Sequence, residues 1–309
     1  MKKIAAGIDI GGTNTVTGFV DSDGNCLYKT TISTPGFDDP AVFVTEVSRI
    51  VKGFFLSNTD ATLIGIGIGA PNGNYYNGSI EFAPNLKWKG VVPLVGLFRQ
   101  HFDVTVILTN DANAAAIGEM VYGNAKGMKN FIEITLGTGV GSGIVVDGNM
   151  VYGHDGFAGE IGHTIVFPGG RVCGCGRQGC LEAYCSAGGI VKTYAELLAK
   201  EGKLPDGKMT PYTISKLAEK GDQTAIDTYE YTGEILGLGL SNSVAHTSPE
   251  AIFIFGGIAN AGEILFRPLK ESFEKNLLPI YKNKVKILSS GIKENDAAIL
   301  GAASLVWKQ

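Results

Sequence analysis

Nowhere in its 309 residues does the chain carry an apolar run near the ~18 residues that a membrane-spanning helix needs. The stretch that begins like a leader, MKKIAAGIDIGGT, is broken at once by Asp9 and a glycine pair. That falls short of the roughly 7–15 uninterrupted apolar residues of a signal-peptide core. A cytoplasmic protein with no membrane partner is expected. Positive charge is not in excess either. Lys and Arg number 26 against 30 Asp and Glu, a net charge of −4, so no basic surface for nucleic acid is expected. Charged residues are 18% of the chain, hydrophobic ones 44%, and glycines number 44, the composition of a folded chain and not of a disordered one. Cysteine is scarce at five, yet four of the five are Cys173, Cys175, Cys180 and Cys185. In a reducing cytosol such crowding argues against a disulfide framework and for a metal site.

What is there is an alternation of strand-like and helix-like segments, which predicts an α/β architecture long enough for two domains. Residues 4–10 and 16–21 read as a hairpin around a glycine-rich turn, and residues 63–70 and 104–109 as buried strands. Residues 40–58 carry Val42, Phe43, Val47, Ile50, Val51 and Phe54 on one helical face. Helices are also expected over 112–120, 210–246, 262–275 and 297–307, and strands over 251–255 and 285–290. One internal echo stands out: GIDIGGTNTVTGFVDSDGN (7–25) and EITLGTGVGSGIVVDGN (133–149) share a β run, a glycine turn, a second β run and an Asp-Gly turn. The repeat suggests a duplicated two-domain body with a cleft between its halves.

Glycine turns expose backbone N–H groups that suit phosphate oxygens, although plain tight-turn geometry accounts for a single one equally well. Gly137-Thr138-Gly139-Val140-Gly141 has the look of a dinucleotide fingerprint, but that motif must open a helix. Here SGIVVD continues as a strand, which disfavours Rossmann binding. The segment from Gly202 to Met209 nearly fits a P-loop, yet Met209 replaces the hydroxyl residue that would reach Mg²⁺, and no strand precedes it; a surface loop is expected. Bound ATP would therefore rest on the two glycine hairpins and on Gly256-Gly257, without a P-loop lysine.

Four motifs occur in order: Asp9-Ile-Gly11-Gly12-Thr13, Leu136-Gly137-Thr138-Gly139, Glu160-Ile-Gly162-His163, and Cys173-Gly-Cys175-Gly-Arg-Gln-Gly-Cys180-Leu-Glu182. Together with FGGIANAG (255–262) and the AAILGAA segment, they make the chain resemble the ROK family of bacterial sugar kinases and sugar-responsive repressors. The resemblance implies a two-domain actin-like fold (hexokinase- and ribonuclease H-like) with sugar and ATP held in a cleft. Residues 1–122 plus 297–309 would form the smaller domain, and residues 123–296 a larger one with a zinc-binding loop. It further implies ATP and Mg²⁺ as co-substrate and cofactor, a structural Zn²⁺, and a homodimer or homotetramer. Three cysteines, Cys173, Cys175 and Cys180, leave one place open in a closed tetrahedral zinc site. His163 and Cys185 can each fill it, and the resemblance favours His163, whose other ring nitrogen would then face the sugar. Cys26 and Cys185 would be small core residues.

Phosphoryl transfer needs a proton acceptor, an oriented hydroxyl and charge for the phosphate oxygens. Asp111 follows the strand 104–109 and precedes a helix, so it stands where α/β sites commonly lie, or else caps that helix. The family pattern makes it the base. By the same resemblance Asn85, Asn110, Asp111, Glu160, His163 and Glu182 bind sugar hydroxyls. Asp9, Gly11, Gly12 and Thr13, with Gly137, Thr138, Gly139, Gly256 and Gly257, lie at the nucleotide, with Asp9 orienting Mg²⁺-bound water. Asn72 departs from relatives that read Gly-Ala-Pro-Gly at this place. A glucose kinase is expected first, with an N-acetylhexosamine kinase or fructokinase as alternatives and a silent sugar sensor behind them. A DNA-binding repressor is disfavoured, because the first phosphate strand begins at Ile4 and leaves no room for a helix-turn-helix.

Overall fold

Strand periodicity sets the layers of the first half of the chain in the computed structural model, which describes residues 1–292 and 294–308, without the side chains of Glu294 and Asn295. In order come β1 (Lys2–Ile10), β2 (Asn14–Val20), β3 (Cys26–Ser33), α1 (Pro40–Ser57) and β4 (Ala61–Ala70). A small patch of β5 (Gly73–Asn74), β6 (Ser79–Glu81) and β7 (Val91–Val92) follows, then α2 (Leu94–Arg99), β8 (Thr105–Asn110) and α3 (Asp111–Tyr122). The main sheet runs β3-β2-β1-β4-β8, with β1, β4 and β8 parallel. Alternate residues of β1 go to opposite faces. Ile4, Ala6, Ile8 and Ile10 pack with Phe43 and Val47 of α1, and Ala5 packs with Ile299 and Ala303 of the last helix.

The second half repeats the scheme. β9 (Phe131–Leu136) and β10 (Val140–Val146) form an antiparallel hairpin, followed by β11 (Asn149–Met150). Helices α4 (Glu182–Cys185), α5 (Ala187–Lys200), α6 (Pro211–Glu219) and α7 (Gln223–Thr247) precede β12 (Ala251–Phe255), α8 (Glu263–Asn276) and β13 (Lys286–Ser289). The sheet order, β11-β10-β9-β12-β13, is that of the first sheet strand for strand, with β9, β12 and β13 parallel. The echo of the two hairpins thus extends to the whole sheets. The helical pattern over 210–246 is broken into α6 and α7 by Gly221, at φ +88°, and by Asp222, whose carboxylate caps α7 at the Ala225 N–H.

The chain divides into two compact units: Met1–Met128, Asn149–Ala158 and Ser290–Gln309 in one, Lys129–Gly148 and Gly159–Ser289 in the other. The last helix, α9 (Glu294–Trp307), covers β1 and β4 of the first unit. It approaches so closely that a Cβ on Gly67 would stand 1.8 Å from the Ala302 carbonyl oxygen. Backbone cannot yield as a side chain tip does. Gly67→Ala is therefore expected to cost about 3 kcal/mol or more and to lower Tm by roughly 6 °C or more; an unchanged melting curve would refute this tight packing. Among the described residues no helix is long and apolar enough to cross a membrane.

Candidate active site and metal centre

In the first unit, the carboxyl ends of the parallel strands bring two acids together. Asp9 is the next-to-last residue of β1, opposite Gly69 of β4, and Asp111 follows β8. Gly69 leaves the space between them: a Cβ there would lie 3.6 Å from the Asp111 Cα and 3.8 Å from Asp9 Oδ1. Burial first, and the Asp111 charge second, push the Asp9 carboxyl up to about 7. The Asp111 carboxyl is likewise raised, by the protein crowding it, although the residue is open to water on one side and accepts the Ala112 N–H. The helix cap is Asn110, whose Oδ1 accepts the same N–H at 2.9 Å, and Asp111 is the first helical residue. The two side chains share that N–H, with Asn110 in the N-cap position. Gly11, Gly12 and Thr13 form the β1–β2 turn, closed by the Gly11 N–H to the Asn14 carbonyl. Asn85 lies against Gly12, and both line a cavity of about 380 Å³ with Thr34, Lys87 and Trp88. A larger cavity, about 900 Å³, lies over Tyr28, Arg49 and Phe54 and includes none of these residues. Asn72 sits at φ +51° and donates to the Glu81 carbonyl at 2.9 Å, which fastens the turn after β4.

Ionising two crowded acids costs folding free energy. Their pKa values rise on folding, so the folded state holds protons more tightly than the unfolded one. Stability from this pair is then highest below the ordinary carboxylate range and declines as pH climbs through about 7. Without Mg²⁺ or nucleotide, Asp9→Asn is expected to raise Tm at pH 8 by about 2–6 °C and to leave it unchanged at pH 4. Equal shifts at both pH values would disprove the coupling.

In the second unit, a turn-rich segment assembles a soft donor set. The ligand atoms of His163, Cys173, Cys175 and Cys180 all lie within 4.8 Å of one another. Cys175 and Cys180 Sγ are 3.7 Å apart, and Cys173 Sγ is 3.6 Å from His163 Nδ1. Tetrahedral zinc with Zn–S of about 2.3 Å and Zn–N of about 2.05 Å would space sulfurs by about 3.8 Å and sulfur from nitrogen by about 3.6 Å. The residues fit that ion. Burial pushes the Cys173 thiol up to about 12, while the Arg177 backbone N–H leads the effects that bring Cys175 down to about 7. Arg177, which the sequence reading passed over although it lies inside the cysteine motif, also donates to the His163 carbonyl and approaches Cys180 Sγ at 4.0 Å. Cys185 is remote in role: it is fully buried, and its Sγ points to the Thr232 carbonyl at 3.7 Å.

With Nδ1 turned to the sulfurs, His163 presents Nε2 toward Glu160, whose Oε2 lies 4.0 Å away. The Glu160 loop is fixed by Ser142, whose hydroxyl donates to the Gly159 carbonyl and accepts the Ile161 N–H. Glu182 opens α4 and accepts the Val140 N–H at 3.0 Å, beside the turn of Gly137, Thr138 and Gly139. That turn joins two antiparallel strands and opens no helix. Gly256, at φ +105°, packs under the Leu136 carbonyl, and Gly257 begins a short 3-10 turn. The segment 202–209 is a loop after α5, in no position to act as a P-loop.

Two matching sheets, acids at the strand ends and a Cys₃His loop are the features of one class of chain. The ROK family profile matches residues 5–309, and the chain belongs to the ROK family. Its relatives narrow the comparison. The chain is 37% identical to a glucokinase of Halalkalibacterium halodurans, over 98% of this chain and 94% of that one. It is 34% identical to a glucokinase of Streptomyces coelicolor, over 98% and 97%. The solved ROK glucokinase of Streptomyces griseus, in complex with glucose and AMPPNP, superposes with a TM-score of 0.82 at 31% identity, over 99% of this chain and 100% of that one. The fold is the α/β, actin-like fold of the hexokinase type.

Proposed function

We propose that the chain is an ATP-dependent hexose kinase that transfers the γ-phosphoryl group of ATP to a hydroxyl of glucose, giving glucose 6-phosphate and ADP. The observation that carries this reading is Asp111: a carboxylate open to water at the end of β8, beside Asp9, in a chain similar to glucokinases over nearly its whole length. Asp111 accepts the proton of the sugar hydroxyl as that oxygen bonds to phosphorus and the bond to the ADP oxygen breaks. Its raised pKa, caused by burial, makes it a stronger acceptor than an ordinary carboxylate.

Asn85, Asn110, Glu160, His163 and Glu182 supply donors and acceptors for the remaining hydroxyls. The turns at Gly11–Thr13, Gly137–Gly139 and Gly256–Gly257 offer N–H groups to the nucleotide phosphates. Asp9 would hold Mg²⁺ at the nucleotide, and the ion would supply charge against the phosphate oxygens. His163, Cys173, Cys175 and Cys180 would hold Zn²⁺, which would fix the tautomer and angle of the imidazole and take no part in transfer. A kinase of this kind draws on the cytoplasmic ATP pool.

The test is ADP release with Mg²⁺-ATP across glucose, fructose, mannose, allose, N-acetylglucosamine and N-acetylmannosamine. A kcat/KM for glucose well above the others is expected. Preference for an N-acetyl sugar would keep the mechanism and replace the substrate, and no turnover with any sugar would overturn the reading.

A further inference from the structure

Val140, the residue after the second glycine turn, is gripped on both sides by the Cys-His loop. Its N–H donates to Glu182 Oε2 at 3.0 Å. Its carbonyl presses on Gly162, where a Cβ would come within 2.0 Å of the oxygen. Gly162 directly precedes the ligand His163, and Glu182 stands two residues beyond the ligand Cys180. The other Glu182 oxygen, Oε1, lies 3.5 Å from Cys173 Sγ, which can donate an S–H to it only while no metal holds the sulfur. Oε2 also lies close over the turn itself, 2.6 Å from where a Gly139 Cβ would be. The turn is closed by the Gly137 N–H to the Gly139 carbonyl at 3.0 Å, and is held from α5 by the Ala187 N–H to the Gly137 carbonyl at 2.9 Å.

A turn of this kind has little of its own to hold it, because glycine is the residue with the widest backbone freedom. A carboxylate accepting an amide N–H makes a charge-assisted bond, roughly twice as strong as a neutral one. We propose that Glu182 is a positioning residue for the Gly137–Gly139 turn, so that metal occupancy of the Cys-His loop sets nucleotide affinity as well as the angle of His163. The loop orders Glu182, Glu182 fixes Val140, and Val140 fixes the N–H groups of the turn. The identity of the ligand as a nucleotide rests on the kinase reading; the tether does not.

The experiment measures two quantities in zinc-loaded and chelator-stripped protein, without sugar. One is hydrogen exchange of the Val140 amide, and the other is the Kd of a non-hydrolysable ATP analogue with Mg²⁺. Stripping zinc is expected to speed Val140 exchange and to weaken the analogue, each by about tenfold or more. The amides of Ile252, Phe253 and Ile254 in β12 are expected to keep their protection. Zinc-loaded Glu182→Ala should reproduce both losses, whereas Glu182→Gln, which retains an oxygen acceptor, should rescue most of the Val140 protection. Should β12 lose protection with the zinc, the zinc-loaded Glu182→Ala protein decides alone. Val140 exchange and analogue affinity indifferent to zinc and to Glu182→Ala would overturn the proposal. If no form binds the analogue while Val140 protection follows zinc and Glu182, the tether stands and the kinase reading falls.

Discussion

Asp111→Asn is expected to lower kcat by about 10²–10⁴-fold, the usual worth of a positioned general base, while glucose binding stays within about tenfold of the native protein. The amide matches the carboxylate in shape, and its oxygen can still accept the Ala112 N–H that Asp111 Oδ1 holds at 2.8 Å. What it cannot do is take up a proton from the attacking hydroxyl. The substitution also removes the charge that helps raise Asp9, so misfolding is not the expected cause of the loss. Initial rates with saturating glucose and ATP give kcat, and calorimetric titration with glucose gives affinity. Undiminished kcat would remove Asp111 from the role of base. A parallel collapse of glucose affinity would instead make it a binding residue.

The second large effect concerns the metal. One zinc per chain is expected by elemental analysis of protein purified without metal-affinity steps, because three sulfurs and one nitrogen gather within 4.8 Å of one another, with one sulfur–sulfur and one sulfur–nitrogen pair at tetrahedral spacing. Cys175→Ser should lower zinc occupancy and raise the KM for glucose by about 10–100-fold, since His163 then loses the anchor that turns Nε2 toward Glu160. Cys185→Ser should leave zinc content intact, as its sulfur faces the Thr232 carbonyl. Protein containing no zinc, or a Cys175 variant with full zinc content, would contradict the assignment.

Much of the scaffold was legible because periodicity is a local property. Strand β12 was read from AIFIF alone, and the two hairpins from alternating apolar residues about a glycine turn. The edge strand β3 was missed, since Leu27, Tyr28 and their neighbours are largely exposed and carry no apolar alternation. The helix break at Gly221-Asp222 was written in the sequence as a C-terminal glycine followed by a capping acid, and the surrounding helical pattern masked it. The cysteine cluster announced a metal loop, but its fourth ligand came from the family resemblance; the sequence left His163 and Cys185 level until the structure grouped His163 with the sulfurs. Contacts such as Glu182 to Val140 span 42 residues, and no local rule of spacing reports them.

The way α9 covers β1 and β4 has a consequence for how the chain is made. The strands that receive this helix leave the ribosome well before it, and the helix emerges more than two hundred residues after β4. At synthesis rates of about 5–20 residues per second, that interval is on the order of ten to forty-five seconds. During it, the face carrying Ala5, Gly7 and Gly67 has no native cover. The nascent chain thus presents a bare apolar sheet throughout that interval, until the completing helix arrives.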